Sequence, residues 1–473
     1  MMELLSKAQV SQIHEGSLRI LREIGINIHH REAQQMLAKA GARVVGARVY
    51  LSANQVEGAL ARIPHGFDLY GRSMKGRVAY RRGYTHFRPS GGLPFILDFQ
   101  TGARREATLA DAADLVRLTD ALGGFQIVNA VISPVDAPAG LPNVHRFLAS
   151  IRFSEKPNDI TVMTAREVRT IAQICTAVRG SEEASREKPL TAVYVSPVSP
   201  LNWLEDQTEA LFEVARQGLP LCILPCPMIG ITAPITMAGA ITMANAETLA
   251  GIALASLVEP RLPIVYCNRN SVGDMRTAVS TWGGPEIGLT SVMANQVAGL
   301  YGLPCNGYGL ATAAKTYDAQ CGYEKGINGL LMALGGGTVL SGGGALDEAL
   351  TTSYEQLVID SEINAMLLRC LSEITVDEDT LGLEALDAVV NGSTFMAEPH
   401  TVKHLRAGAL WMPELGDRLD YETWAMQGSR AIGERAHARA ARILAEHQVA
   451  PLDVGLEEQI AHILADAERE FVS

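Results

Sequence analysis

The sequence predicts an α/β protein, a (β/α)8 TIM barrel with N-terminal and C-terminal helical additions. From about Thr108, short apolar runs are each followed by a longer amphipathic segment, in about seven or eight units. Such units indicate parallel strands, because each crossover helix returns the chain to the same end of the sheet. No G-x-G-x-x-G motif follows the first strand, which disfavours a dinucleotide-binding sheet.

The first hundred residues predict a separate α/β substructure, residues 1–105, packed on the barrel. Helical spacing runs through LLSKAQVSQIHEGSLRILREIGI and again through EAQQMLAKAGA. The segment ARVYLSANQVEGALARIP adds a strand and then a helix that Ser52 is expected to cap.

The barrel itself is predicted over residues 106–395, as strand-then-helix pairs. These pairs are FQIVNAVI with VHRFLASIRFSE, DITVMT with VRTIAQICTAVRG, LTAVYVSPVSP with DQTEALFEVARQG, LPLCILPCPM with MAGAITMANAETLAGIALASLVEP, LPIVYCNRN with PEIGLTSVMANQVAGLYG, LPCNGYG with CGYEKGINGLLMALGGG, and TVLSGGG with SYEQLVIDSEINAMLLRCL. Residues 396–473 predict a helical extension rich in Ala and Glu. It is expected to pack on the barrel or on a second subunit, so a homo-oligomer is anticipated.

Composition excludes several classes of protein. Lys+Arg 40 against Asp+Glu 52 leaves a formal charge of −12, which argues against a nucleic-acid binder. A hydrophobic share of 47% predicts a buried core and excludes disorder. Seven scattered cysteines are not a disulfide framework and favour a reducing compartment. Without a basic segment followed by an apolar run near Met1, a cytoplasmic location is expected.

Three local patterns resemble a membrane span, a phosphate loop and a zinc site, but each lacks a feature that such a structure requires. The uncharged stretch 217–246 resembles a membrane span, but its prolines predict a short strand and a helix starting near Pro234. The run GGGTVLSGGGAL lacks the G-x-x-x-x-G-K-[ST] form of a phosphate loop and predicts tight turns. Cys222 and Cys226 would need further ligands to bind zinc.

In a barrel of this type, reactive groups follow the carboxyl ends of the strands. Candidate segments there are NAVISP (Asn129), SPVSPLNW (Trp203), YCNRNSVGD (Tyr266, Asn268, Asp274), STWGGPE (Trp282, Glu286), the loop from Tyr308 to Lys325, and LDEALTTSYEQ (Tyr354, Glu355). Each has a structural alternative, since Trp203 suits core packing and Asn268 suits a turn. No Ser-His-Asp or Cys-His constellation is visible.

Several motifs, in order, resemble the trimethylamine methyltransferase family over essentially the whole chain. They are STWGGPE, YGLPCNGYG, KTYDAQCGYEK, SYEQLVIDSEI and EPHTVKHLR-x-x-x-LWMPEL-x-DR, with N-terminal support from GINIHHREAQQMLAKAGARV and TGARREATLADAADLVRLTDAL. The resemblance implies a TIM barrel that moves a methyl group from a methylated amine to the cobalt of a separate corrinoid protein. It implies no tightly bound cofactor and no metal, because the partner supplies the cobalamin.

One departure from the family changes the expected substrate. The founding members use pyrrolysine in the loop aligned near Ala313 to Asp318, where this chain has Lys315 and ordinary residues. Unless Lys315 is modified, the chain resembles the non-pyrrolysine branch, which demethylates quaternary amines such as glycine betaine, carnitine or proline betaine. A quaternary ammonium already carries the charge that makes its methyl transferable. Because Co(I) is the nucleophile, the transferase needs only to desolvate and orient the substrate.

The resemblance implies a cage for an N-methyl cation, for which aromatic faces are suited. The chain has only four Trp, twelve Tyr and ten Phe residues, so those near the strand ends are the candidates. The expected aromatic faces are Trp282, Tyr308, Tyr354, Tyr266 and Phe87. The expected partial counter-charges are Glu286, Asp318 and Glu355. The expected groups for a substrate carboxylate are His86, Arg88, Lys315 and His400.

Two other functions remain open from the sequence. A Schiff-base lyase would use Lys315 or Lys325, although Lys325 is predicted on an outer helix beside an acid. A non-catalytic betaine-binding protein would use the same aromatic cage. His400 and His404 have zinc-pair spacing, but HTVKH lacks the Glu of H-E-x-x-H, so His400 is assigned to the rim or a loop and His404 to structure.

Overall fold

The computed structural model describes residues 2–138 and 140–472. Within those residues, seven strands form the central sheet, and each neighbouring pair is parallel. Their spatial order is His86–Pro89, Val339–Gly343, Cys305–Gly307, Ile264–Cys267, Leu221–Ile223, Thr191–Val195 and Asn158–Thr161. All seven carboxyl ends therefore meet at one edge, as the sequence predicts.

Segment 126–132 lies between the two outer strands of this sheet. The amide of Ile127 donates to the Phe87 carbonyl at 3.3 Å, and the amide of Val128 donates to the Pro157 carbonyl at 2.9 Å. Val128 also accepts from the amide of Asp159 at 3.4 Å. The predicted strand FQIVNAVI thus forms isolated bridges rather than a regular strand.

Helices connect the strands on the outside, close to the predicted positions. They are Leu109–Ala121, Pro142–Phe153, Ala165–Arg179, Glu182–Glu187, Glu205–Gln217, Met237–Ser256, Glu286–Leu300, Ala319–Leu334 and Tyr354–Leu371. Side-chain caps begin several of them: Thr164, Thr236 and Ser353 each accept a backbone N–H of the first turn. Met237–Ser256 is long and apolar enough to cross a membrane, but 78% of the 18-residue stretch that meets this criterion is buried inside the protein. It is the predicted crossover helix.

Side chains alternate between the two faces of each strand. On Thr191–Val195, Val193 and Val195 pack against the outer helices, whereas Ala192 and Tyr194 face the interior enclosed by the sheet. The same alternation directs Cys222, Val265 and Cys267 inward. Odd and even positions of one strand therefore belong to different cores, and only the inward set can reach a site at the strand ends.

The N-terminal substructure packs helices on the outer helix Met237–Ser256 and a hairpin against the lower end of the sheet. It comprises helices Lys7–Arg19, Arg31–Lys39 and Ala53–Leu60 and strands Ile26–Ile28, Arg43–Val45, Arg48–Tyr50, Gly66–Tyr70 and Arg77–Arg81. Ser52 caps its helix as predicted. The last two strands form a hairpin that places Leu69 and Tyr80 in the interior core. Because the sheet begins at His86, residue 106 does not mark its start.

Short strands and C-terminal helices complete the chain. The strands are Phe95–Leu97, Arg104–Glu106, Asn202–Trp203, Met228–Ile229, Ser271–Gly273, Ser280–Thr281, Ala345–Leu346 and Thr351–Thr352. The helices are Glu378–Leu381, Leu383–Val390, Pro399–Arg406, Tyr421–Met426, Ile432–Glu446 and Val454–Val472. Ile432–Glu446 packs on Tyr354–Leu371, and Val454–Val472 packs on Ala165–Arg179.

Candidate active site

A cavity of about 170 Å³ opens at the carboxyl ends of the central strands. We name it the mouth cavity. Its lining residues are Arg88, Ser90, Gly91, Thr161, Tyr194, Leu224, Cys226, Arg269, Trp282, Tyr308 and Ala349. They come from all seven central strands or the loops that follow them, which is the edge predicted to carry the reactive groups.

One wall of the mouth cavity is a closed polar network. Arg88 Nε lies 2.9 Å from Asp159 Oδ2, and both side chains are buried. The Tyr194 hydroxyl donates to the same carboxylate oxygen at 2.9 Å and accepts from Asn306 Nδ2 at 2.6 Å. Ser341 Oγ donates to Asn306 Oδ1 at 2.7 Å. The charge of Arg88 is therefore balanced within the protein.

The protonation states in this wall follow from burial and charge. Burial alone would lower the pKa of Arg88, but the adjacent Asp159 carboxylate outweighs it and the pKa is raised. Burial, reinforced by Asp159, raises the pKa of the Tyr194 phenol well above its usual value. At neutral pH, Arg88 is charged and Tyr194 keeps its proton, so neither group is poised for acid–base chemistry.

A second arginine of the mouth cavity has different surroundings. Arg269 is 8% exposed, and its guanidinium carbon lies 4.2 Å from the centroid of the Tyr308 ring. In the described part of the chain, no carboxylate forms an ion pair with Arg269 and its Nε has no hydrogen-bond partner. A guanidinium group stays charged in proteins even when it is buried. A buried cation without a protein counter-ion is therefore available to an anionic ligand group.

Two aromatic rings stand beside Arg269. The ring centroids of Trp282 and Tyr308 are 4.9 Å apart with an interplanar angle of 72°. The Tyr308 hydroxyl is 2.5 Å from Ser90 Oγ, which fixes the ring. Since the guanidinium of Arg269 already covers part of Tyr308, the half-buried Trp282 offers the freer aromatic face.

Two predicted cage residues face away from the mouth cavity. Tyr266 is 2% exposed and packs between its strand and the outer helices, near Tyr301. Phe87 is fully buried in another outer core. Strand alternation explains both orientations, because the neighbours Cys267 and Arg88 take the inward positions.

Three more predicted residues have structural partners away from the cavity. His86 begins its strand at the lower end, where Nε2 is 3.1 Å from the Ala79 carbonyl. The Tyr354 hydroxyl donates to Asp111 Oδ1 at 3.2 Å in an outer core. Glu355 is buried against His437, with an Oε1 to Nδ1 distance of 2.7 Å. None of the three lines the mouth cavity.

The remaining predicted residues also lie outside the cavity. Asp318 caps its helix by accepting the Cys321 amide at 3.1 Å, and Glu286 is the first residue of another helix. The Lys315 side chain is 67% exposed, and its Nζ donates to the Ala313 carbonyl at 2.7 Å. His400 contacts the Asp379 carbonyl within the C-terminal helices, so it is not at the rim.

No lysine is among the residues that line the mouth cavity, where a Schiff-base lyase would need one. Lys325 lies on an outer helix, fully buried, with Nζ 2.6 Å from Asp360 Oδ2, as the sequence predicts. Trp203 is a core residue, which is its structural alternative. Among the residues that the structure describes, no group of three or more His, Cys, Asp or Glu is arranged to bind a metal.

Arg269 and Tyr194 line the cavity but are not among the residues predicted from the sequence. The alternation of side chains along each strand is the signal that identifies them. Counting inward positions along YCNRN from Val265 gives Cys267 and then Arg269. The same count along TAVYV gives Ala192 and Tyr194. Choosing candidates by residue type instead selected Tyr266, one position out of phase.

Comparison with known proteins supplies family evidence. The model of the family described as trimethylamine methyltransferase (MTTB) matches residues 1–471. A glycine betaine methyltransferase of Desulfitobacterium hafniense (strain Y51) is 31% identical over 469 residues, covering 99% of this chain and 97% of that protein. The trimethylamine methyltransferase MttB of Methanosarcina barkeri (strain Fusaro / DSM 804) is 30% identical over 477 residues, covering 99% and 96%.

Solved structures share the fold. The Methanosarcina barkeri monomethylamine methyltransferase MtmB aligns with a TM-score of 0.51 at 13% identity, covering 95% of this chain and 89% of that one. A hydroxylamine complex of MtmB aligns with a TM-score of 0.53 at 12% identity and the same coverage.

Proposed function

The chain belongs to the trimethylamine methyltransferase family, and from that premise we propose that it transfers a methyl group from a quaternary amine to the Co(I) of a separate corrinoid protein. In this reaction the N–CH3 bond breaks and its electron pair stays on nitrogen, leaving a tertiary amine. The methyl group is taken by the cobalt, whose electron pair forms the new bond. No proton is transferred, which agrees with a mouth cavity that contains no acid–base pair.

The unpaired Arg269 beside Trp282 is the observation that carries the substrate proposal. The cavity lining contains two guanidinium groups and no carboxylate, and Asp159 balances only Arg88. A bare cation such as tetramethylammonium would meet this excess positive charge. A betaine instead brings a carboxylate for Arg269 and a quaternary ammonium for the indole face. We therefore propose a carboxylate-bearing quaternary amine.

The two ends of such a substrate define its orientation. Arg269 is buried and follows its strand by two residues, whereas Trp282 is half-buried in the loop above. A carboxylate on Arg269 lies inside, so the ammonium and its methyl groups lie toward the opening where the corrinoid must approach. Catalysis is then positioning of one methyl group in a site with little water.

The 313–318 loop supports a quaternary rather than a tertiary amine. Its Lys315 is exposed and bonded to its own loop, and no side chain of the loop lines the mouth cavity. A tertiary amine is protonated at neutral pH and needs activation before its methyl can leave. The cavity lining offers a cation-binding face and an anion-binding arginine, which are sufficient for a betaine.

The sheet closure and the assembly belong to the same proposal. The bonds of segment 126–132 to both outer strands support an eighth strand position, hence a closed (β/α)8 barrel. The C-terminal segment exposes apolar side chains that support a homo-oligomer. They include Ile374, Val376, Leu381, Leu383, Val390, Met396, Leu410, Met412, Tyr421 and Met426. The cobalamin is proposed to arrive on the partner protein.

A substrate panel with free cob(I)alamin tests the proposed function. The purified protein is mixed with reduced cobalamin and, separately, with glycine betaine, proline betaine, carnitine, tetramethylammonium and trimethylamine. Loss of Co(I) absorbance and one demethylation per substrate are expected for at least one betaine, with trimethylamine slower. Faster transfer from trimethylamine than from every betaine, or no transfer from any quaternary amine, would contradict the proposal.

A further inference from the structure

The turn from Asp347 to Ala349 has a backbone conformation that side chains disfavour. Its three residues have φ values of +53°, +56° and +63°, and none of them is glycine. The left-handed region brings Cβ close to the following carbonyl oxygen, so three such residues in a row are unusual. Strain of this kind persists where surrounding contacts impose it, and it is common at functional sites.

Contacts of this turn join three loops at the mouth cavity. The Glu348 carboxylate accepts the backbone N–H of Trp282 at 2.7 Å. The amide of Glu348 donates to the Thr312 carbonyl at 3.1 Å, and the amide of Asp347 donates to the Ala314 carbonyl at 2.7 Å. The loops after three different strands therefore share one turn.

The loop that carries Trp282 is also held from its other side. The Glu324 carboxylate packs against Gly283, where an added Cβ would lie 2.4 Å from a carboxylate oxygen and would displace it. Glu324 in turn accepts the amide of Ala313 at 2.8 Å. The Trp282 backbone is thus fixed between Glu348 and the Glu324 anchor.

We propose that Glu348 is a positioning residue, which holds the Trp282 indole over the substrate ammonium by binding the Trp282 amide from a strained turn. The inference rests on the proposed function, because Trp282 is given its role there. Glu348 does not line the mouth cavity, whereas Trp282 and Ala349 do. Its carboxylate therefore acts through Trp282. The competing role is a counter-charge for the ammonium, which would depend on the charge of Glu348 and not on its hydrogen bond.

Three substitutions at one position separate acceptor, charge and strain. Glu348→Gln keeps an acceptor oxygen but removes the charge. Glu348→Ala removes the acceptor and keeps the strained backbone, and Glu348→Gly removes the acceptor and relieves the strain. Asp347→Ala and Asp347→Gly are matched controls, because Asp347 is equally left-handed but its carboxylate faces Lys315 and Arg104.

We expect kcat/KM with the best betaine to stay within about twofold in Glu348→Gln and to fall about tenfold to hundredfold in both Glu348→Ala and Glu348→Gly. Glu348→Gly should nevertheless melt about 1–3 °C above Glu348→Ala, because its backbone is unstrained. In protein labelled with 5-fluorotryptophan, the Trp282 resonance, assigned with Trp282→Phe, should move in the Ala and Gly variants and stay in place in Gln. The Asp347 pair should leave this resonance and kcat/KM unchanged.

Three results would overturn the inference. Equal losses in Glu348→Gln and Glu348→Ala would assign a charge role. Wild-type kcat/KM in Glu348→Gly would show that activity follows backbone strain alone. A Trp282 resonance that does not move in Glu348→Ala would show that the carboxylate does not position the indole. If wild-type protein demethylates no quaternary amine, the proposed function fails, while the fluorine spectra still decide the role of Glu348.

Discussion

The two arginines of the mouth cavity are both buried, yet their surroundings are opposite. Arg88 is paired with Asp159 inside a network that extends through Tyr194. Arg269 lies over the Tyr308 ring with no carboxylate partner among the described residues. A charge that the protein itself neutralises holds the scaffold, whereas a charge that it leaves unneutralised is available to the ligand. We therefore assign the Arg88–Asp159 pair to the scaffold and propose Arg269 for substrate recognition.

A third buried charge shows why Arg269 is unusual. Glu247 is fully buried, and among the described residues its carboxyl accepts the Leu201 amide at 2.7 Å and the Ser199 hydroxyl at 2.8 Å and forms no ion pair. Burial raises the pKa of Glu247 to about 7. An unpaired acid can thus become neutral near physiological pH, but an unpaired arginine cannot. A buried arginine without a carboxylate partner, as Arg269 is among the described residues, therefore keeps its charge.

The largest expected effect is the loss of stability when the Arg88–Asp159 pair is broken. Asp159→Asn or Arg88→Met leaves one buried charge uncompensated, so each should lower the free energy of unfolding by about 3–5 kcal/mol. Replacing both together with Met and Leu should cost less than either single change. Urea unfolding measures all three variants, and single changes that cost less than about 1 kcal/mol would show that this pair is not the scaffold.

Replacing Arg269 should have the opposite effect, lowering activity rather than stability. Arg269→Gln should leave the melting temperature unchanged or higher, because it removes a buried charge with no partner. Its kcat/KM for a betaine should fall about a hundredfold or more through loss of a charge-assisted contact. Arg276→Gln is the control, since Arg276 lies in the same loop, is 87% exposed and pairs with Asp274. If Arg269→Gln lost as much unfolding free energy as Arg88→Met, the two arginines would not differ in the way we describe.

A smaller effect is expected from the aromatic side. Trp282→Ala should weaken betaine binding by about 1–3 kcal/mol through lost cation–π attraction and apolar contact. Tyr308→Ala should also weaken it, because Arg269 rests on that ring, whereas Tyr308→Phe keeps the ring and loses only the Ser90 bond. Calorimetric titration of the folded variants decides. Dissociation constants unaltered by both Ala changes would place the cage elsewhere.

The smallest effect concerns Glu247 and pH. Its folded-state pKa is raised, so the stability it contributes is present at low pH and is lost as pH rises through about 7. Glu247→Gln does not titrate. Relative to this variant, the wild type should lose about 1 kcal/mol of unfolding free energy between pH 6 and pH 8. Parallel stability profiles for the two proteins would contradict a raised pKa.

Much of the fold follows from local pattern, but the direction of side chains does not follow from residue type. Apolar runs and caps such as Ser52 locate strands and helices well, because those signals lie within a few residues. Segment 126–132 has the apolar composition of a strand, but its bridges depend on two distant partners. Residue type makes Tyr266 a cage candidate, but strand parity turns its side chain away from the cavity.

The site was predictable only in part for a similar reason. Trp282 and Tyr308 follow strand ends, where barrel sites lie, and both line the mouth cavity. The role that we propose for Arg269 depends on the absence of a neighbouring acid among the described residues, which is a property of three-dimensional packing. The contact between Glu348 and Trp282 joins residues 66 positions apart, so no local pattern reveals it.

The most direct test of the central claim varies the substrate charge and Arg269 together. Methyl transfer to cob(I)alamin is measured for glycine betaine and for its uncharged amide, with wild-type protein and with Arg269→Gln. If Arg269 binds the carboxylate, the wild type should prefer glycine betaine in kcat/KM by about a hundredfold or more, and Arg269→Gln should reduce that preference to a few fold. An unchanged preference in Arg269→Gln would contradict the account, because the carboxylate would then be bound by another group.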